Sequence, residues 1–95
     1  MADLLNPDAV HHNLDRCEGW EGTTSGISKT YRFDDEAGAT AFVEQVTGIA
    51  NGMNHHPEVT RDGSDVTLNL VTHSAGGVTQ QDFDLAEAID DRGGS

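Results

Sequence analysis

The sequence predicts an α+β domain: a four-stranded antiparallel sheet with three helices packed on one face. Three observations carry this reading. Ile27, Tyr31 and Phe33 share one parity while Ser28, Thr30 and Arg32 share the other, as on a half-buried strand. Val66, Leu68 and Leu70 repeat that two-residue period. Between the two runs, Phe42, Val46, Ile49, Ala50 and Met53 recur at helical spacing, which marks one apolar helix face over three turns. The order is helix, hairpin, helix, hairpin, helix. Two hairpins each followed by a helix assemble most simply as one antiparallel sheet with its helices on a single side.

The elements follow in chain order. Asn6-Pro7 is a helix start, with Asn as the cap and Pro at the first helical position. The helix runs to about Arg16, with Val10, Leu14 and Cys17 on its inner side. His11 and His12 lie about 100° apart on that helix and do not converge on one ligand, so they read as surface residues. The first hairpin passes from Glu18–Gly22 through a turn at Thr23-Thr24-Ser25-Gly26 into the Ile27–Phe33 strand. Asp34 or Asp35 caps the long helix, which ends near Gly52 and Asn54. Pro57 then forces an extended chain at His56. The second hairpin has a short strand at Glu58-Val59-Thr60, a turn at Arg61-Asp62-Gly63-Ser64 and a strand from Val66 to Thr72. His73 has the parity opposite to Val66, Leu68 and Leu70, which aims it away from their core. Thr79 and Asp82 resemble a capping box at the start of the last helix, whose inner side is Leu85, Ala86 and Ile89. Residues from Arg92 onward read as a frayed tail.

With 95 residues and no repeats or linkers, the chain reads as one domain over residues 1–95. A hydrophobic fraction of 35% gives a modest core, so burial between copies would help, and the uncovered sheet face or edge is the natural place for it. The formal charge of -12, from 17 acidic and 5 basic residues, argues against nucleic acid and against anionic membrane surfaces as partners. No apolar run approaches the ~20 residues of a membrane span, and the N-terminus lacks the pattern of a secretory signal, so the expected location is cytoplasmic. A single cysteine, Cys17, allows neither an internal disulfide nor a cysteine zinc site.

The same acidic, lysine-poor composition fits an ordinary soluble acidic protein, and it also fits adaptation to high salt. The second case predicts that the melting temperature rises steeply from low to molar potassium chloride. A flat response would count against it, because ordinary surface repulsion is largely screened by ~0.15 M salt.

The stretch from Asn54 to Asp82 carries the chemistry. It holds three of the five histidines, His55, His56 and His73, each beside a turn or a strand end. Taken singly, His55 and His56 suit a helix C-terminus that favours cations, and His73 suits a polar strand end. Taken together they admit two functional readings. Three imidazoles can bind a metal such as zinc, although adjacent histidines chelate awkwardly. Alternatively they carry protons, an acid and a base in one pocket promoting an elimination or isomerisation.

Asn54-His55-His56-Pro57-Glu58, the Val66–Thr72 strand, His73, Gly76-Gly77-Val78-Thr79, Asp82 and Leu85-Ala86 resemble the signature of the pterin-4a-carbinolamine dehydratases. Gly19-Trp20 and the Tyr31-Arg32-Phe33 strand extend the likeness toward the N-terminus. The resemblance implies dehydration of a 4a-hydroxytetrahydropterin to quinonoid dihydropterin, with no cofactor and no metal. It places His55, His56 and His73 in the catalytic set, with His55 and His73 as the acid/base pair and His56 lining the pocket. Trp20, Pro57, Thr72, Ser74, Ala75 and Asp82 would contact the substrate or bound its pocket, Asp82 orienting a histidine or a pterin nitrogen. The resemblance also implies a homodimer or homotetramer. Family members that bind a transcription factor supply the alternative reading, a binding or coregulator module of the same fold. Three departures stand out: Asn51 where the family often has an acid, no aromatic near Gly63, and Val59 where some members have Trp.

Overall fold

The structure, a computed structural model, is described for residues 4–91; the expected frayed tail from Arg92 onward lies outside that range. The elements are α1 (Pro7–Arg16), β1 (Glu21–Thr23), β2 (Gly26–Arg32), α2 (Glu36–Met53), β3 (Glu58–Asp62), β4 (Asp65–Leu70), a 3-10 turn over His73–Ala75 and α3 (Gln80–Ile89). The four strands form one antiparallel sheet in the order β1-β2-β4-β3. The two hairpins therefore meet through their second strands, with Ile27 opposite Leu70 and Tyr31 opposite Val66.

Each helix begins where a side chain replaces the missing backbone partner. Asn6 Oδ1 accepts the Ala9 N–H at 2.8 Å. Asp35, rather than Asp34, caps α2, its Oδ1 accepting the Gly38 N–H at 2.8 Å. Such caps are worth ~1 kcal/mol each. The α2 helix ends at Asn54, whose left-handed backbone (φ 53°) lets its N–H reach back to Ala50 and Asn51. Asparagine tolerates that conformation better than other non-glycine residues.

The core lies between one sheet face and the helices. Ile27 and Tyr31 from β2 and Val66, Leu68 and Leu70 from β4 meet Phe42, Val46 and Ile49 of α2 and Phe83, Leu85, Ala86 and Ile89 of α3. Burying one such large side chain contributes ~1.5–3 kcal/mol. The opposite face carries Ser28, Thr30 and Arg32 beside Asp65, Thr67 and Asn69, and Thr30 and Thr67 share a hydroxyl hydrogen bond of 2.9 Å across the strands. At the sheet edge every residue of β3 is exposed, Val59 to 41%. Arg61 ties this edge to α2 through Thr40 Oγ1 at 2.9 Å.

Boundaries of both hairpins differ from the sequence expectation. Thr23 pairs with Gly26, so the first turn is only Thr24-Ser25 and its leading strand begins at Glu21. Arg61 pairs with Val66 inside the ladder, so the second hairpin turns later, between Asp62 and Asp65, with Gly63 at φ 63°. At its other end β4 stops at Leu70. Thr72 leaves the ladder to pair with Gly77, and the five residues from Thr72 to Gly76 close into the 3-10 turn.

Candidate functional site

The site is built where the end of α2, the end of β4 and the start of α3 meet. Pro57 keeps the chain extended after the Asn54 cap, so the two adjacent histidine rings go to different partners. His55 turns inward: its Nε2 lies 2.5 Å from Asp82 Oδ1, and its side chain is 13% exposed. His56 stays outside and folds back on the last turn of α2, its Nε2 lying 2.6 Å from Asn51 Oδ1. Both acceptor oxygens lack a proton to give, so each ring carries its own proton on Nε2 and leaves Nδ1 free.

Asp82 is fully buried, at 0% exposure. A buried carboxylate needs partners for its lone pairs, and this one has them. Oδ2 accepts the Thr79 N–H at 2.9 Å and the Thr72 hydroxyl at 3.0 Å, while Oδ1 faces His55. The residue is the third of α3 and completes a capping box with Thr79. The same position is favoured for negative charge by the helix dipole. Asp82 thus completes the capping box of α3 and also meets the His55 ring.

The loop that carries His73 is held by close backbone approach. Gly76 has φ 81°, a left-handed turn that closes the 3-10 segment. A Cβ on Gly77 would come within 2.7 Å of the Thr24 carbonyl oxygen, so only glycine lets this strand pass. Beyond it Val78 N–H binds Thr24 O at 2.9 Å, and Thr72 N–H binds Gly77 O at 3.0 Å. His73 and Ser74 are exposed on this turn, and Ala75 and Pro57 are half-buried. The structure thus joins His55, Asp82 and Thr72 by direct hydrogen bonds and places His73 next in the chain to Thr72.

Trp20 is elsewhere. Its indole Nε1 donates to Asp90 Oδ2 at 3.0 Å, and its ring meets Tyr31 edge-on at 6.4 Å between centroids. Asp90 caps the far end of α3, roughly 12 Å along the helix from Asp82. Lys29 Nζ reaches Asp90 Oδ1 at 3.2 Å, and the Tyr31 hydroxyl binds the same oxygen. Nothing local in the sequence signals this cluster, because Trp20 and Asp90 are 70 residues apart.

Burial, the hydrogen bond to Asp90 and the charge of Asp90 push the Tyr31 phenol well above its ordinary value of 10.0. The folded state thus favours neutral Tyr31. Its contribution to stability is complete below about pH 10 and is lost as pH rises above it, because the unfolded chain ionises first. The melting temperature should fall between pH 9 and 11 more steeply in wild type than in Tyr31→Phe. Parallel slopes in a pH series of thermal melts would refute the assignment. Burial likewise raises the Cys17 thiol, helped by Glu87 and Asp90, which disfavours its nucleophilic thiolate form.

Among the described residues, no three His, Cys, Asp or Glu side chains are grouped to hold a metal ion. No described helix is long and apolar enough to cross a membrane. Two surface hollows, of about 280 and 360 Å³, are lined by α1 with β1 and by the Cys17–Asp90 region. Neither of these two is lined by His55, His73 or Asp82; the buried charge and its partners mark the candidate site.

Comparison with known proteins places the chain in a family. The family model described as pterin 4 alpha carbinolamine dehydratase matches residues 3–92. A protein of Roseiflexus castenholzii, provisionally named a pterin-4-alpha-carbinolamine dehydratase, is 41% identical over 96% of this chain and 98% of its own. A Halobacterium salinarum protein of the same provisional name is 36% identical over 97% and 99%. The crystal structure of a transcriptional coactivator/pterin dehydratase from Brucella melitensis superposes with a TM-score of 0.90 at 28% identity, covering 97% of this chain and 100% of the other. A pterin dehydratase-like protein described as a RuBisCO assembly factor in the alpha-carboxysome shares the fold, with a TM-score of 0.64 at 19% identity over 80% and 88%.

Proposed function

Because the chain belongs to the pterin 4 alpha carbinolamine dehydratase family, we propose that it dehydrates a 4a-hydroxytetrahydropterin to quinonoid dihydropterin by histidine acid/base catalysis. The observation that carries the reading is the pairing of His55 with the buried Asp82 carboxylate. The reaction must remove hydroxide from carbon 4a and a proton from nitrogen 5. Neither departs readily alone from a neutral molecule in water, so an acid and a base must act on opposite sides of one bond system.

In this reading His55 is the base. Its Nε2–H points at Asp82, so its Nδ1 is the nitrogen left to take the proton from nitrogen 5. The positive ring that results is stabilised by the carboxylate behind it. His73, exposed on the 3-10 turn, gives a proton to the departing hydroxyl, which leaves as water. His56 is held by a neutral amide, Asn51, where an acid is common in the family, and serves to shape the pocket beside Pro57, Ser74 and Ala75. Trp20, bound to Asp90 at the other end of α3, takes no direct part in this set.

The test is a coupled assay in which a phenylalanine hydroxylase generates the 4a-carbinolamine and its absorbance decay is followed with and without this protein. Acceleration over the spontaneous decay, unchanged by a chelator, is the expected result. No acceleration would favour a non-enzymatic role, the kind that the name of the carboxysome assembly factor describes for that protein.

A further inference from the structure

Thr79 caps α3, and its hydroxyl also meets the Thr72 hydroxyl. We propose that Thr79 is a positioning residue for the dehydration: through Thr72 it holds the plane of the Asp82 carboxylate, so that an oxygen stays aimed at His55 Nε2 and the Nδ1 of that ring stays bare. The inference rests on the dehydratase reading for its kinetic part and on geometry alone for the rest.

The direction of each hydrogen bond follows from counting protons. Thr72 Oγ1 lies 3.0 Å from Asp82 Oδ2 and 2.8 Å from Thr79 Oγ1. A carboxylate cannot donate, so the single Thr72 proton goes to Asp82. In the contact between the two hydroxyls Thr79 must then be the donor. Its own oxygen is free to accept from α3 in the capping box. The chain therefore runs one way, from Thr79 to Thr72 to Asp82 Oδ2, and a second arm from the Thr79 N–H reaches the same oxygen at 2.9 Å.

This arrangement gives Oδ2 two donors from residues that are themselves buried, Thr72 at 4% and Thr79 at 1% exposure. Oδ1 is left to the imidazole. No buried side-chain nitrogen or oxygen among the described residues lacks a partner, so each member of this set is satisfied by the others. Removing the Thr79 hydroxyl breaks that set at its source. The Thr72 hydroxyl loses its donor and can rotate, and the carboxylate keeps the Thr79 N–H as its one fixed anchor, so it can tilt away from His55 Nε2. An unmet acceptor in a dry site is costly enough for the group to seek another arrangement.

The test compares Thr79→Val with Thr79→Ser in two measurements. The first is the nitrogen-15 spectrum of the histidine rings in the folded protein, which reports the tautomer without any need for activity. The second is steady-state dehydration. Wild type and Thr79→Ser should show His55 with a proton on Nε2 and a bare Nδ1. In Thr79→Val the expected result is a mixture of tautomers and a kcat lower by about tenfold, with KM changed less than about twofold; partners that orient a metal-bound histidine have effects of ~10–100-fold. Should Thr79→Val fail to fold, Thr72→Val interrupts the same chain with the capping box intact, and the mixed tautomer is expected there. A single Nε2–H tautomer and wild-type kcat in the valine variant that folds would overturn the proposal. So would a serine variant as impaired as the valine one. A wild type that shows the tautomer but no acceleration would instead sink the dehydratase reading and leave the positioning geometry standing.

Discussion

Asp82→Asn is expected to reduce the dehydration rate by ~100–10,000-fold while leaving the protein folded. Only one end of the asparagine amide can occupy each oxygen's place. Oδ2 of Asp82 accepts from both the Thr79 N–H and the Thr72 hydroxyl, so the asparagine oxygen must take that place. Its NH2 group then replaces Oδ1 and points a hydrogen at His55 Nε2. Two N–H groups cannot face each other, so His55 must move its proton to Nδ1, the nitrogen assigned to take the pterin proton. The base is lost although every buried atom is still paired. Stability should fall only by the loss of one negative charge at a helix N-terminus, ~0.3–2 kcal/mol. His55→Ala, which removes the ring itself, should lose activity by a similar factor. Both variants are read by the coupled assay beside a thermal melt. An Asp82→Asn protein within about threefold of wild type would remove Asp82 from the mechanism, since general-base contributions start near ~100-fold.

Much of this arrangement was legible in the chain because it rests on local periods and short spacings. The alternation of Ile27–Arg32 and Val66–Leu70 does correspond to the two central strands, and the Phe42–Met53 stripe does face the sheet. Thr79 and Asp82, three apart, announced a capping box, and the structure shows it. What a linear reading could not show was the destination of each ring. His55 and His56 are neighbours in sequence, yet one meets a carboxylate 27 residues on and the other an amide five residues back. The 3-10 turn at His73 is too short to leave a periodic trace, and β4 ends at Leu70 because Thr72 finds a better partner in Gly77. The likeness to a family motif implies Trp20 as a bound of the site. Its partners in the structure, Tyr31 and Asp90, are distant in the sequence, and only the fold brings them together at the far end of α3.

The second large effect concerns the platform beneath the dyad. Phe83→Ala is expected to cost ~3–5 kcal/mol of unfolding free energy, against a total of ~5–15 kcal/mol for a domain of this kind. Phe83 follows Asp82 in the chain and is 0% exposed, and with Leu85, Ala86 and Ile89 it seats α3 on the core. A cavity at a fully buried core position relaxes only in part, so the cost exceeds the lost transfer energy. The effect should reach the site, since the same turn of α3 carries Asp82. Val59→Ala is the comparison: at 41% exposure on the edge strand β3, it should change stability by less than ~0.5 kcal/mol. Urea titrations of the two variants measure the difference directly. Equal costs would mean that β3 is covered in solution and that its edge belongs to an interface. A small cost at Phe83 would mean that α3 is not anchored as the packing indicates, and the geometry that aims Asp82 at His55 would lose its support.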